Sequence, residues 1–206
     1  MTSPRSLVYL DHAATSPMRP EAIAAMLPHL GEQYGNPSGA HAMARAARIA
    51  IEDSRDAMAA ALGCDAGEVV FTGGGTEADN LAVVGSAAGR RLCSAIEHHA
   101  VLHAVEHGGG ITFGVTGDGL VDLAALERAL CDEVGLVSLM LANNETGVVQ
   151  PLAEAAALVR ACAPRAAIHT DAVAAFNWLD VAALAADADL VSVSAHKFGG
   201  PKGVGA

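Results

Sequence analysis

Two rhythms of hydrophobic and polar residues alternate along the chain. Stretches with apolar residues every three or four positions read as helices, and short unbroken apolar runs bounded by turn residues read as buried strands. The first helical rhythm runs from about Ala40 to Leu62 and stops at Gly63, a residue suited to a left-handed helix end. Further helices are predicted over Thr76–Ala88, over His98–His107 closed by Gly108, Gly109 and Gly110, over Asp122–Leu130, and over Leu152–Cys162 after Pro151. Strands are predicted at Leu7–Leu10, from Glu68 to about Thr72, and at Leu92–Ile96, Ile111–Val115, Val134–Leu141, Ala166–Asp171 and Asp189–Ser194. Strands alternating with helices imply an α/β fold with right-handed crossovers and a mostly parallel sheet.

Open α/β sheets place their ligands at the carboxyl ends of strands, and the candidate chemistry falls at such points. Lys197 lies in Ser194-Ala-His-Lys-Phe-Gly-Gly200, directly after the apolar run Asp189–Ser194. An amine where a buried strand meets a glycine-rich loop is poorly solvated, which lowers its pKa and frees its lone pair to form an imine. Lys202 reads instead as an ordinary surface lysine. The segment Phe71-Thr-Gly-Gly-Gly-Thr76 opens a helix, where backbone N–H groups and a hydroxyl form a seat for phosphate. Asp171 ends a buried run; it can pair with a protonated pyridine nitrogen, although aspartates also cap ordinary turns. Together these are the parts of a pyridoxal 5'-phosphate site.

A longer ordered set of motifs carries a resemblance. Tyr9-Leu-Asp-His-Ala-Ala-Thr15, Gly35-Asn-Pro-Ser38, Phe71-Thr-Gly-Gly-Gly-Thr-Glu77, Glu97-His98, Asn143-Asn-Glu-Thr-Gly147, His169-Thr-Asp171 and Ser194-Ala-His-Lys197 together resemble the cysteine desulfurase family, class V aminotransferases of fold type I. The resemblance spans almost the whole chain. It implies a three-layer large domain over residues 1–206, pyridoxal 5'-phosphate as cofactor, and a homodimer with its site at the subunit interface. It implies Lys197 and His98 as catalytic residues, with His98 stacked on the cofactor ring and assisting proton transfer, tasks that suit a planar imidazole titrating near neutral pH. Gly75, Thr76, Ser194 and His196 would seat the phosphate, Asp171 would face the ring nitrogen, and Asn144 would meet the 3-hydroxyl region. The implied reaction takes L-cysteine to L-alanine and leaves a persulfide for transfer to an acceptor protein, in iron–sulfur cluster supply, tRNA thiolation or another thio-cofactor route. Selenocysteine lyase or another class V activity is the alternative, and a catalytically silent cofactor-binding or dimerisation module is the alternative of a different kind.

The chain also departs from the family pattern. Where the family has a glutamine that bonds the cofactor's phenolic oxygen, this chain has Ala174; one lost hydrogen bond to a charged group costs ~1.5–3 kcal/mol if nothing replaces it. Ala44 stands where glycine is frequent. The family continues past the lysine loop into a smaller domain with the nucleophilic cysteine and a substrate-binding arginine. The expectation is that this chain, ending at Ala206, holds an incomplete large domain without that small domain. None of Cys64, Cys93, Cys131 and Cys162 matches the nucleophile.

Composition narrows the remaining classes. A chain of 206 residues that is 52% hydrophobic suits a folded domain with a substantial core rather than disorder. Its formal charge of -11 weighs against a nucleic-acid partner, because a phosphate backbone selects for a basic face. No apolar run approaches the ~18 residues of a membrane span, and Met1–Ser6 leads into Leu7 with no signal-peptide pattern, so a cytoplasmic location is expected. The cysteines form no C-x-x-C pair, which predicts buried structural thiols rather than a disulfide framework or a metal site.

Overall fold

The computed structural model describes residues 7–86 and 89–206. In chain order they form α1 (Pro20–Met26), a 3-10 turn at Leu27–Leu30, α2 (Ala42–Leu62), a 3-10 turn at Ala66–Glu68 and α3 (Gly75–Gly85). Then come β1 (Arg90–Ser94), α4 (His99–His107), β2 (Ile111–Phe113), α5 (Leu123–Ala129), β3 (Val134–Ser138) and α6 (Leu152–Cys162). The last elements are β4 (Ala167–Asp171), α7 (Val181–Leu184), β5 (Leu190–Ser192) and a 3-10 turn at Ala195–Lys197. The strands make one parallel sheet in the order β2-β1-β3-β4-β5.

Side chains alternate across each strand, and that alternation builds the layers. Leu92, Val137 and Ile168 point to the face packed by Leu126 of α5 and by Leu152, Ala155, Ala156 and Val159 of α6. Their neighbours Cys93 and Leu136 point to the other face, against Val83 of α3 and Val101, Ala104 and Val105 of α4. β3 is buried along its full length, as expected of a central strand covered on both sides. Helix ends follow from local chemistry. The Asp122 and Asp180 side chains accept the Ala125 and Ala183 N–H groups at 3.0 and 3.1 Å, and α2 ends on Gly63 at φ 74°.

The three layers and parallel sheet match the expected fold class, but several boundaries differ. Leu7–Leu10 is not a strand; it is extended, with Leu7 94% and Leu10 84% exposed, because no neighbouring strand pairs with it among the described residues. The strand expected from Glu68 to about Thr72 is reduced to a single antiparallel bridge from Thr72 to Gly205, which also bridges Ser194. α3 starts one residue earlier than expected and stops at Gly85; the end expected at Ala88 lies outside the described residues, as do residues 1–6. β1 ends at Ser94 and β3 at Ser138, and the residues beyond them lead to His98, Met140 and Asn144 at the site; β2 stops at Phe113, before a bridge from Val115 to Val121. His98 caps α4 rather than beginning it.

Candidate active site

All the predicted site residues converge on one cavity of about 1150 Å³ at the carboxyl edge of the sheet: Gly75, Thr76, His98, Asn144, Asp171, Ser194, His196 and Lys197. The topology brings them there. β1 leads to His98, β3 to Asn144, β4 ends on Asp171, and β5 runs into the turn that carries Lys197, while α3 opens toward the same space. Lys202, expected at the surface, is exposed and lines the rim.

The lysine loop is held by the segment that precedes α1. Lys197 Nζ donates to the Ala13 carbonyl, and Thr15 Oγ1 lies 3.0 Å from His196 Nδ1. Ser16 donates to the His196 carbonyl at 2.8 Å from its hydroxyl and 2.9 Å from its N–H, and its Oγ accepts the Gly199 N–H at 2.9 Å. Burial lowers the Lys197 pKa against the opposing pull of Asp171 and Asp11. The direction is that of an amine with a more available lone pair. His196 is lowered too, by burial and then by Lys197 and Lys202.

Asp171 forms the floor. It is buried, and its Oδ1 accepts the Val173 N–H at 2.8 Å. Burial raises its pKa, while that N–H, His98 and Lys197 act in the opposite direction, so a cation docked above it would offset the burial of its charge. At the start of α3, a Cβ on Gly75 would lie 2.9 Å from Val173 Cγ2 and 3.2 Å from Ser194 Cβ. Only glycine lets the helix start press so closely on the lysine loop. The Gly73 N–H there donates to Glu77 Oε2 at 2.5 Å. His98 is exposed, and its Nδ1 accepts the Ala100 N–H at 3.2 Å, so the neutral ring carries its proton on Nε2. Asn143 Oδ1 accepts from the Glu145 and Thr146 N–H groups at 3.0 and 2.9 Å, fixing the turn that presents Asn144. An anion seat, a buried acid and an amine of lowered pKa in one cavity fit a ligand with a phosphate, a ring cation and an aldehyde.

The sequence reasoning missed Asp79 as a site group and Glu97 as a buried support beside the site. Asp79 lies one helical turn after Gly75, a spacing that puts both on one face of α3, and it lines the cavity. Glu97 is buried under the loop before His98; its Oε1 accepts the Ser94 hydroxyl and the Met140 N–H, each at 2.7 Å. Of the cysteines expected to be buried, Cys93 is, and burial pushes its thiol up to about 12. Cys64, Cys131 and Cys162 are only half-buried, and no cysteine lines the cavity. Among the described residues no group of three or more His, Cys, Asp or Glu could hold a metal ion, and no helix is long and apolar enough to cross a membrane.

Residues 8–206 match the Aminotransferase class-V family. The chain belongs to that family. It is 44% identical over 217 residues to the IscS-like cysteine desulfurase of Mycobacterium tuberculosis, covering 97% of this chain and 54% of that protein. To the cysteine desulfurase IscS of Dictyoglomus turgidum it is 43% identical over 210 residues, with 97% and 53% covered. Among solved structures, a NifS-like protein from Rickettsia africae superposes with a TM-score of 0.89 at 33% identity, over 97% of this chain and 57% of that one. SspA in complex with cysteine gives a TM-score of 0.87 at 33% identity, over 96% and 59%. This class-V chain therefore spans about half the length of the curated relatives it matches.

Proposed function

We propose that this class-V chain binds pyridoxal 5'-phosphate and is the cofactor-binding part of a cysteine desulfurase. The observation that carries the reading is the convergence of Lys197, Asp171 and the start of α3 on one cavity. Gly75, Thr76, Ser194 and His196 would hold the phosphate, Asp171 the protonated ring nitrogen, and Asn144 the side of the ring that carries the 3-hydroxyl. When bound, the cofactor supplies an electron sink for bonds at an amino acid's α-carbon. Lys197 Nζ, its pKa lowered by burial, is the base that takes and returns the α-proton. His98, whose Nδ1 accepts from Ala100, would lie beside the cofactor ring and act as the acid that supplies a proton to the reacting substrate.

L-cysteine as substrate is supported by the names of the similar proteins and by the cysteine-bound neighbour, and on that support this reading puts it ahead of selenocysteine. The sulfur-accepting thiol is not assigned to Cys64, Cys93, Cys131 or Cys162, because none reaches the cavity. The same reading takes the chain as a large-domain unit that passes sulfur to an acceptor protein and pairs with a second copy. Exposed apolar residues before α2, Leu7, Leu10, Leu30 and Tyr34 among them, support the pairing. Free cysteines suit a reducing, cytoplasmic setting.

Borohydride reduction of the cofactor-loaded chain, followed by peptide mapping, tests the reading. The expected result is a pyridoxyl group on Lys197, absent in Lys197→Ala. An unmodified Lys197 in folded, cofactor-treated protein would overturn it.

A further inference from the structure

The floor of the cavity holds two acidic side chains. His169 and Asp171 are two apart on β4 and share a sheet face, the face that α3 covers. Ser138 of β3 and Ser192 of β5 flank the imidazole, with Ser138 Oγ 2.8 Å from Nδ1 and Ser192 Oγ 2.9 Å from Nε2. Asp79 comes down on this group from α3. Its Oδ1 stands 3.7 Å from His169 Nε2, is buried and takes part in no hydrogen bond. The residue is 1% exposed, yet it lines the cavity together with Asp171.

Among the described residues no Lys or Arg meets this carboxyl. The groups that face it are His169 and Asp171 from β4, Ser192 from β5 and Glu97 from the loop after β1. Burial holds His169 neutral, down to about 4, and burial raises the Glu97 carboxyl. Burial first, and then the charge of Asp171, push Asp79 up to about 8. A buried carboxyl without a partner is far less costly as a neutral acid than as an anion.

We propose that Asp79 is a positioning residue that stays a neutral carboxylic acid, donating into the Ser192–His169–Ser138 chain, so that Asp171 is the ionised acid that meets the cofactor's ring nitrogen. The role in cofactor binding rests on the function proposed above; the protonation state of Asp79 does not. With Asp79 as donor, its O–H turns to Ser192 Oγ, the Ser192 O–H to His169 Nε2, and the His169 Nδ1–H to Ser138 Oγ. Ionising Asp79 reverses every bond. The Ser138 O–H then gives to Nδ1, Nε2–H gives to Ser192 Oγ, and the Ser192 O–H gives to the carboxylate. The His169 tautomer therefore reports the Asp79 proton.

Nitrogen NMR of the full chain with labelled histidine, free of cofactor, reads that tautomer directly. The expected result is Nδ1–H at neutral pH, converting to Nε2–H as pH rises through the alkaline range, and fixed as Nδ1–H in Asp79→Asn. An Nε2–H tautomer at neutral pH would overturn the proposal, as would an alkaline conversion that persists in the variant. The wild-type titration alone decides if Asp79→Asn does not fold. In the loaded protein, Asp79→Asn should keep its affinity for pyridoxal 5'-phosphate within about threefold at neutral pH and lose the wild type's weakening at alkaline pH, whereas Asp171→Asn loses about tenfold or more. A tenfold loss in Asp79→Asn at neutral pH would show that Asp79 acts as a charge. Failure of the wild type to take up the cofactor would sink the proposed function and leave the tautomer result standing.

Discussion

Ala174 puts a methyl group where the cavity meets an adjoining space of about 240 Å³ that Asn144 and Trp178 also line. A methyl can neither donate nor accept, so if pyridoxal 5'-phosphate binds as proposed, its oxygen on this side would lack the bond that the resemblance assigns to a glutamine. Restoring the amide with Ala174→Gln should tighten pyridoxal 5'-phosphate binding by about tenfold, toward the lower end of the ~1.5–3 kcal/mol that a hydrogen bond to a charged group contributes. An absorbance titration of the two proteins measures it; equal affinities would mean that a neighbour already supplies the bond. At this scale the sequence was most informative where residue type alone restricts the chemistry. Lys197 and Asp171 could be picked out because an amine and an acid stand at the carboxyl ends of predicted strands, whereas His98 rested on the resemblance. Asp79 and Ser16 could not, because their parts depend on what α3 and the lysine loop pack against, and an acid or a serine is ordinary at either position.

Elements were legible in proportion to their length and periodicity. α2, α4, α5 and α6 carry apolar residues at helical spacing over enough turns to be found, whereas α7 has four residues and no pattern to detect. Leu7–Leu10 and the residues around Val70 have strand-like composition, but strand pairing is a tertiary property, and only Thr72 finds a partner there. Helix ends were the clearest local signals. Gly63 ends α2 in the left-handed region at φ 74°, and a Cβ there would sit 3.1 Å from Ala182 Cβ of α7. Gly63→Ala should therefore destabilise the chain by about 1–2 kcal/mol, from backbone strain with an added push on α7. Chemical denaturation would measure it, and an unchanged midpoint would mean that the α2 end relaxes at no energetic cost. Because α2 and α7 lie away from the cavity, the visible spectrum of the loaded variant should stay that of the wild type.

Across the whole molecule, buried ionisable groups set how stability depends on pH. Burial pushes Glu97 up to about 8, against the bonds from Ser94 and Met140, and its Oε2 has no hydrogen-bond partner. The folded chain thus keeps a proton that the unfolded chain releases in the ordinary carboxylate range. Stability from this group is full below that range and is lost as pH rises toward about 8. Asp79 has the same sign and the same upper limit. His169 has the opposite sign. Lowered by burial to about 4, it contributes stability that is present above the unfolded imidazole's pKa, about 6.5, and is lost as pH falls toward 4. Between the carboxylate range and about pH 6.5 the histidine offsets part of the acids' effect. From there to about pH 8 nothing in this set opposes them, and stability should fall with a slope of roughly one kcal/mol per pH unit for each acid. Glu97→Gln keeps the Oε1 acceptor and removes one titrating group. Its stability at any single pH depends on how well the new amide is satisfied, but its slope does not. Denaturant unfolding of both proteins across this window should give the variant a shallower slope than the wild type. Equal slopes would show that Glu97 is already ionised at neutral pH.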